Sequence, residues 1–351
     1  MAKVYVGMSG GVDSSVTAAL LKDQGHDVTG VFMKNWTRDI GGVICPWRKD
    51  LADAKRVAVQ LDIPFEVFDF ETQYKHKVVD YMLEEIKRGR TPNPDVMCNQ
   101  EVKFKLFLET AKERGADKIA TGHYSRIVKA GSKYLLKTGL DDSKDQSYFL
   151  YRVTEDALSK SLMPLGEMKK TNVRKLAKQY NLATADKPDS MGICFVGEVG
   201  IDSFAEEFIS VKPGAVVDRD SGKQLGEHKG AELYTIGQRH GLGLGGGLPY
   251  YVTGTNVKAN TVTVTTDLDD DSLWRKSFTI GDAHWINGQP DLGKTYDVMI
   301  RYRSQPIKAR LFSTGKHVAI ELAKPARAVT PGQSAVVYDG DTVLGGGIIN
   351  G

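Results

Sequence analysis

Near the start of the chain, Ser9-Gly10-Gly11-Val12-Asp13-Ser14-Ser15 follows the apolar run KVYVGM and opens a helical pattern. In that setting backbone N–H groups and a helix dipole attract a phosphate. The glycines let the backbone approach a ligand closely, and the serine hydroxyls add donors. The lysine of a GxxxxGK(S/T) loop is absent, and a carboxylate, Asp13, stands among the small residues instead. Two readings are open: Asp13 or Ser14 caps the helix, or Asp13 shares a Mg2+ ion with a polyphosphate that would otherwise repel it.

Cysteine is the other reactive residue type. Cys45, Cys98 and Cys194 are far apart and odd in number, which excludes a secreted disulfide framework and a CxxC metal site. Cys98 follows a stiff Pro-containing segment, TPNPDVMCN, with Asp95 three residues before it; Cys194 lies in the irregular stretch DKPDSMGICFVGE. Each is read either as a small buried hydrophobe or as a nucleophile, and Asp95 either as a general acid/base or as a turn residue. Met33 in GVFMKNW and Gly122 in IATGHY end strand-like runs, where an apolar side chain and bare backbone suit a purine ring or plain core packing.

These residues need a scaffold. To about residue 190, short apolar runs (KVYVGM, DVTGVFM, PFEVFDF, DKIATGHY) alternate with helical stretches from about Ser14, around DLADAKRVAVQL and in KFKLFLETAKERG. That alternation predicts a parallel α/β sheet with ligands at the carboxyl ends of its strands. From about Val211, period-two segments broken by Gly, Asp and Asn predict antiparallel strands in small barrels, with a seam at TTDLDDDSLWRKSF. The expected division is a catalytic α/β domain over 1–200, a central β-rich domain over 201–272 and a C-terminal β-barrel over 273–351. At 351 residues, 41% hydrophobic and 26% charged, the chain has an ordinary globular composition; it has no apolar run long enough to span a bilayer. Its net charge of +3 names no partner. A cytoplasmic monomer is expected.

Taken together, SGGVDSS, TPNPDVMCN, TGHY, KDQSYFL, GICFVGE, YTIGQRHGLG, RYRS and AVTPGQ resemble the bacterial tRNA-specific 2-thiouridylases, members of the PP-loop ATP pyrophosphatase superfamily, over nearly the whole chain. The resemblance implies ATP-dependent sulfur insertion at C2 of the wobble uridine of glutamine, lysine and glutamate tRNAs. It implies that ATP adenylates the C2 oxygen, that Cys194 bears a persulfide, that Cys98 is its catalytic partner and that Asp95 is the acid/base group. Whether Cys194 persulfide attacks the base directly, or Cys98 releases sulfide and leaves a disulfide, stays open. ATP would lie on Gly7, Met8, Ser9, Gly10, Gly11, Val12, Asp13 and Ser14, with Met33 and Gly122 around the adenine and Mg2+ at Asp13. A sulfur-relay protein or cysteine desulfurase would supply the sulfur.

By the same likeness, Asn93, Pro94 and Asp95 hold the target base, and His123, Lys144, Asp145, Gln146, Arg301, Tyr302 and Gln333 contact tRNA. Lys169, Lys170, Arg174, Lys175 and Lys178 on one predicted helix, and Arg301, Arg303, Lys308 and Arg310 in the last module, are read as RNA-binding cations or as solvated faces. Cys45 is assigned to structure, and its flanking CPWRKD departs from the family pattern. Gly241 to Gly246 formally matches GxGxxG but lacks the strand-to-helix context of a dinucleotide site. The competing functions are a PP-loop amide ligase, which needs neither the cysteine pair nor the β-rich tail, and an RNA-binding protein that keeps a nucleotide pocket for structural reasons.

Overall fold

The computed structural model describes residues 1–189, 200–245 and 247–351; Cys194 and Gly246 lie outside the described residues. The first part contains strands β1 (Lys3–Gly7), β2 (Asp27–Lys34), β3 (Phe65–Asp69), β4 (Lys118–Ala120), β5 (Ser125–Ala130), β6 (Lys133–Thr138) and β7 (Ser161–Leu162). Five of them form a parallel sheet in the order β3-β2-β1-β4-β7. Strand β1 is central and, after Lys3, its Val4, Tyr5, Val6 and Gly7 are all buried, the continuous apolar reading of a strand covered on both faces. The chain leaves β1 toward β2 on one side and reaches β4 later on the other, so a crevice opens at the carboxyl end of β1.

That crevice receives helix α1 (Val12–Asp23), which begins directly after the glycine loop and is buried along almost its whole length. Helix α2 (Trp47–Gln60) follows β2. Helix α3 (Lys170–Gln179) sets Val173 and Ala177 into the same apolar cluster as Val12, Val16 and Leu21 of α1. The stretch after the TPNP segment is one helical run, 94–113, whose middle, Cys98–Leu106, is π-helical. The sequence reading placed its start later, at KFKL; Pro94 at the first helical position and Asn93 as its cap start it earlier.

The second part carries β8 (Gly214–Asp218), β9 (Gln224–His228), β10 (Tyr251–Asn256) and β11 (Thr261–Thr265), ordered β10-β11-β8-β9. Its β8–β11 pair is parallel, not antiparallel as the alternation pattern suggested, because period two fixes faces and not strand direction. The last part holds β12 (Trp274–Trp285), β13 (Thr295–Met299), β14 (Ile307–Thr314), β15 (His317–Arg327), β16 (Ser334–Asp339) and β17 (Thr342–Ile349). These run β12-β15-β14-β13-β16-β17, and a β12–β17 pairing closes them into a six-stranded antiparallel barrel around Phe278, Ile280, Leu311, Ile320 and Val337. The expected seam is shorter than read, since Trp274 already begins β12.

One connection was not anticipated. The β5–β6 hairpin, which lies between two strands of the parallel sheet in sequence, pairs through β6 with β17 of the barrel, Leu136 opposite Val343. Asp341 then accepts from Arg126 and Lys137, both at 2.9 Å. Among the described residues no helix is long and apolar enough to cross a membrane.

Candidate active site

The glycine loop has the geometry of an anion cradle. Gly10 takes φ +75°, and a Cβ there would come within 2.3 Å of the Asp50 carbonyl oxygen, so only glycine fits. Ser14 Oγ accepts from the Ser9 N–H at 3.1 Å and donates to the Gly11 carbonyl, which folds the loop back on α1. Gly11 caps α1 with no side-chain acceptor, so the first N–H groups of the helix face the crevice. The capping reading of Asp13 and Ser14 is thereby corrected. Gly122 abuts this turn: a Cβ there would meet Asp13 C and Ser14 N at 3.0 Å. Met33 is half-buried and its Cε lies 2.9 Å from where a Gly7 Cβ would stand, so it covers the root of the loop.

Asp13 instead holds partners from elsewhere in the chain. Its Oδ1 accepts from Tyr124 Oη at 2.7 Å, and Lys170 Nζ lies 2.7 and 2.8 Å from its two oxygens. The lysine that the loop lacks is thus supplied by α3. Lys170 also reaches Asp189 Oδ1 at 2.8 Å, and Asp189 is further paired with Lys144 and Arg174. Burial opposes ionisation of Asp189, but hydrogen bonds from Lys144 and Lys170 outweigh it and hold the carboxyl far below its usual range. Burial, then the Asp13 carboxylate, drives the Tyr124 phenol far up, which keeps it a donor. Both Asp13 oxygens are occupied by an ammonium, and no cluster of acidic, His or Cys ligands exists among the described residues. The described residues do not fit a preformed Mg2+ site.

Cys98 stands at the start of the π-helical stretch, 3% exposed. Asn93 Oδ1 accepts from Val96 N at 3.3 Å and so caps the helix that carries Asp95 and Cys98, with Pro94 buried at its first position. Burial raises the Asp95 carboxyl, and Lys103 opposes the rise. His123 is buried; desolvation, assisted by Lys103, holds its pKa well below 6.5, so the ring is neutral. Its Nδ1 lies 2.8 Å from Thr121 Oγ1 and its ring 5.6 Å from that of Phe104. Cys45 Sγ donates to the Trp36 carbonyl at 3.7 Å, and burial pushes its thiol up, which suits an unreactive packing residue.

The two halves are joined by hydrogen bonds. Tyr124, whose hydroxyl holds Asp13, exchanges its N–H and C=O with Gln146 Oε1 and N at 3.0 and 3.1 Å. Three residues on, the Phe149 carbonyl accepts from Asn99 Nδ2 at 3.1 Å, beside Cys98. The glycine loop and Cys98 therefore share one framework built on the segments after β4 and β6.

Several residues expected on RNA serve that framework. Asp145 accepts from Gly139 N and Ser147 Oγ, Lys144 pairs with Asp189, and Arg301 donates to Ile236 O and Thr330 Oγ1. The Tyr302 ring packs against Phe149, tilted by 49° with centroids 4.4 Å apart, and Gln333 Nε2 donates to Thr91 O at 2.9 Å. Of the α3 cations, Lys170 and Arg174 turn inward, whereas Lys178 is exposed. In the barrel, Lys276, Lys308 and Arg310 line one outer groove. The described part of the Gly241 segment leads through Pro249 into β10 rather than into a helix. Lys103, Tyr124 and Asp189 were missed, and Lys170, read as an RNA-binding cation or part of a solvated face, is instead the partner of Asp13.

The chain matches family models described as the tRNA methyl transferase HUP domain over residues 2–198, the tRNA methyl transferase PRC-barrel domain over 202–266 and the aminomethyltransferase beta-barrel domain over 275–349. It is 48% identical to the tRNA-specific 2-thiouridylase MnmA of Listeria welshimeri, over 99% of this chain and 94% of that protein. It is 46% identical to that of Bacillus subtilis (99% and 95%) and 44% identical to a second such enzyme, MnmA 2, of Aliarcobacter butzleri (99% and 98%). Among solved structures, a 4-thiouridine synthetase–RNA complex with bound ATP is similar over 54% of this chain and 43% of its own, at 19% identity and a TM-score of 0.37, too distant to bear on the chemistry.

Proposed function

This chain belongs to the tRNA-specific 2-thiouridylase family, and from that membership we propose that it replaces the C2 oxygen of the tRNA wobble uridine with sulfur at the expense of ATP. The expected substrates are the glutamine, lysine and glutamate tRNAs. The observation that carries the reading is the hydrogen-bonded path from Asp13 through Tyr124, Gln146 and Phe149 to Asn99, which supports placing an anion cradle and a thiol in one site.

Uracil O2 is a poor leaving group. Its attack on the α-phosphorus of ATP expels pyrophosphate and leaves AMP as a good one. The residues from Gly7 to Ser14 hold the triphosphate, Lys170 offsets charge at the loop, and Met33 and Gly122 border the adenine. Mg2+ enters bound to the triphosphate. The terminal sulfur of a Cys194 persulfide then attacks C2 and AMP departs, after which the Cys98 thiolate attacks the Cys194 sulfur, breaking the S–S bond to the base, freeing the 2-thiouridine and leaving a Cys98–Cys194 disulfide; or the Cys98 thiolate first takes the inner sulfur, forming the same disulfide and releasing hydrosulfide, which attacks C2 and expels AMP. Asp95, whose carboxyl is pushed up by burial, is the acid/base group, and Asn93 shapes the turn that meets the base. His123, Lys144, Asp145, Gln146, Arg301, Tyr302 and Gln333 form the framework against which the anticodon loop docks. Sulfur comes from a relay protein or cysteine desulfurase. The working division is 1–200, 201–272 and 273–351, in a cytoplasmic monomer.

Replacing Cys98 and Cys194 singly by alanine tests the proposal. Loss of tRNA thiolation in both variants, with tRNA-dependent pyrophosphate release retained, supports it. ATP-dependent amidation of a small carboxylate, indifferent to both cysteines, would favour the amide ligase.

A further inference from the structure

The segment leading to Asn93 and Cys98 is held by all three parts of the molecule, and they converge on one residue. Thr91 N–H donates to Pro331 O at 2.9 Å, its carbonyl accepts from Gln333 Nε2 at 2.9 Å, and its hydroxyl lies 2.9 Å from Thr235 Oγ1. Gln333 Nε2 also lies 3.4 Å from the Pro92 carbonyl. The approach is close: Gly332 takes φ +91°, and a Cβ there would stand 2.8 Å from Thr91 N and 2.9 Å from Thr91 O. Arg301 completes the junction by donating to Ile236 O and Thr330 Oγ1, which ties the residue after Thr235 to the residue before Pro331. Immediately beyond Pro92 come the Asn93 cap, Asp95 and Cys98.

We propose that Gln333 is a positioning residue for sulfur transfer: by fixing the Thr91 and Pro92 carbonyls, with Thr235 as a second arm, it sets the direction in which the chain enters the Asn93–Cys98 turn. The proposal rests on the thiolation reading and assigns Gln333 a task within it other than holding RNA. A carboxamide whose N–H groups are committed to two main-chain carbonyls is a poor hand for a phosphate. Its loss frees the hinge of a turn whose Asp95 and Cys98 must meet the base within a fraction of an ångström, and misplacement of about 1 Å is enough for a loss of about 100-fold in rate. Thr235→Val removes one arm only and is expected to act in the same direction by less.

The experiment compares wild type, Gln333→Ala and Thr235→Val for kcat of thiolation at saturating tRNA, for tRNA Kd at fixed salt, and for amide hydrogen exchange over 91–98 without RNA. The expected result is kcat lower by about 10- to 100-fold in Gln333→Ala and by less in Thr235→Val. tRNA Kd should stay within about twofold, and exchange over 91–98 should be faster in both. A raised Kd with kcat intact would make Gln333 an RNA contact and overturn the proposal; so would unchanged kcat and unchanged exchange. Should Gln333→Ala not fold, Thr235→Val reads the same split. If wild type makes no thiolated product, the function fails, while the exchange comparison still decides whether Gln333 and Thr235 hold the turn.

Discussion

Asp95 carries a penalty for being charged, because burial raises its folded-state pKa above 3.8. Its ionised form therefore costs stability as pH rises through that raised value, and below 3.8 the cost is absent. Asp95→Asn should melt at a higher temperature than wild type at pH 7, with the gap closing toward pH 4, while thiolation falls by about 100-fold or more. A melting temperature unchanged or lower at pH 7 would contradict the burial argument. His123 behaves in the opposite sense. It stays neutral in the fold, whereas the unfolded chain takes up a proton near 6.5, so its contribution is complete above that pH and shrinks as pH falls below it. The loss is up to about 1.4 kcal/mol per pH unit, and His123→Gln should flatten that part of the stability curve measured by denaturant unfolding. Residue chemistry was partly legible in advance: the glycine loop and TPNPDVMCN announced themselves by type and spacing. Lys170 did not, because a lysine 157 residues from Asp13 carries no local sign of its partner.

Between β1 and α1 the chain turns through Gly10, whose positive φ and contact with the Asp50 carbonyl bind the loop to the start of α2. Gly10→Ala adds about 1–2 kcal/mol of left-handed strain before any clash, and should reduce tRNA-dependent pyrophosphate release far more than tRNA affinity. Lys170→Met tests the contribution of α3 to the same loop. With the ammonium gone, Asp13 faces the triphosphate uncompensated, and KM for ATP should rise by about tenfold or more. Lys170→Arg should recover part of that loss; a KM unaffected by either change would remove Lys170 from the site. At this scale the βα alternation showed the parallel sheet, because buried strands and amphipathic helices have distinct periods. The parallel β8–β11 pair and the β5–β6 hairpin were hidden, since strand partners and direction are set by tertiary contacts that no period encodes.

As a whole molecule, the protein presses a barrel and a small mixed sheet against a nucleotide-binding domain through the β6–β17 pairing, the Arg301 contacts and the grip on Thr91. With a net charge of only +3, the proposed tRNA binding would rest on local patches such as Lys276, Lys308 and Arg310 on the barrel. tRNA binding should weaken with log salt by about 0.7–0.9 per phosphate neutralised, and Arg310→Ala should lower that slope by about 1 for every substrate tRNA alike. An unchanged slope would take the barrel groove out of the interface. The central claim, sulfur for oxygen on a nucleotidyl-activated uracil, is tested most directly by incubating the purified protein with ATP, Mg2+, sulfide and unmodified glutamate tRNA, then digesting the RNA to nucleosides. The account predicts 2-thiouridine from the wobble position with AMP and pyrophosphate in equal amounts; pyrophosphate without thiolated nucleoside, or neither product in the presence of bound tRNA, would contradict it.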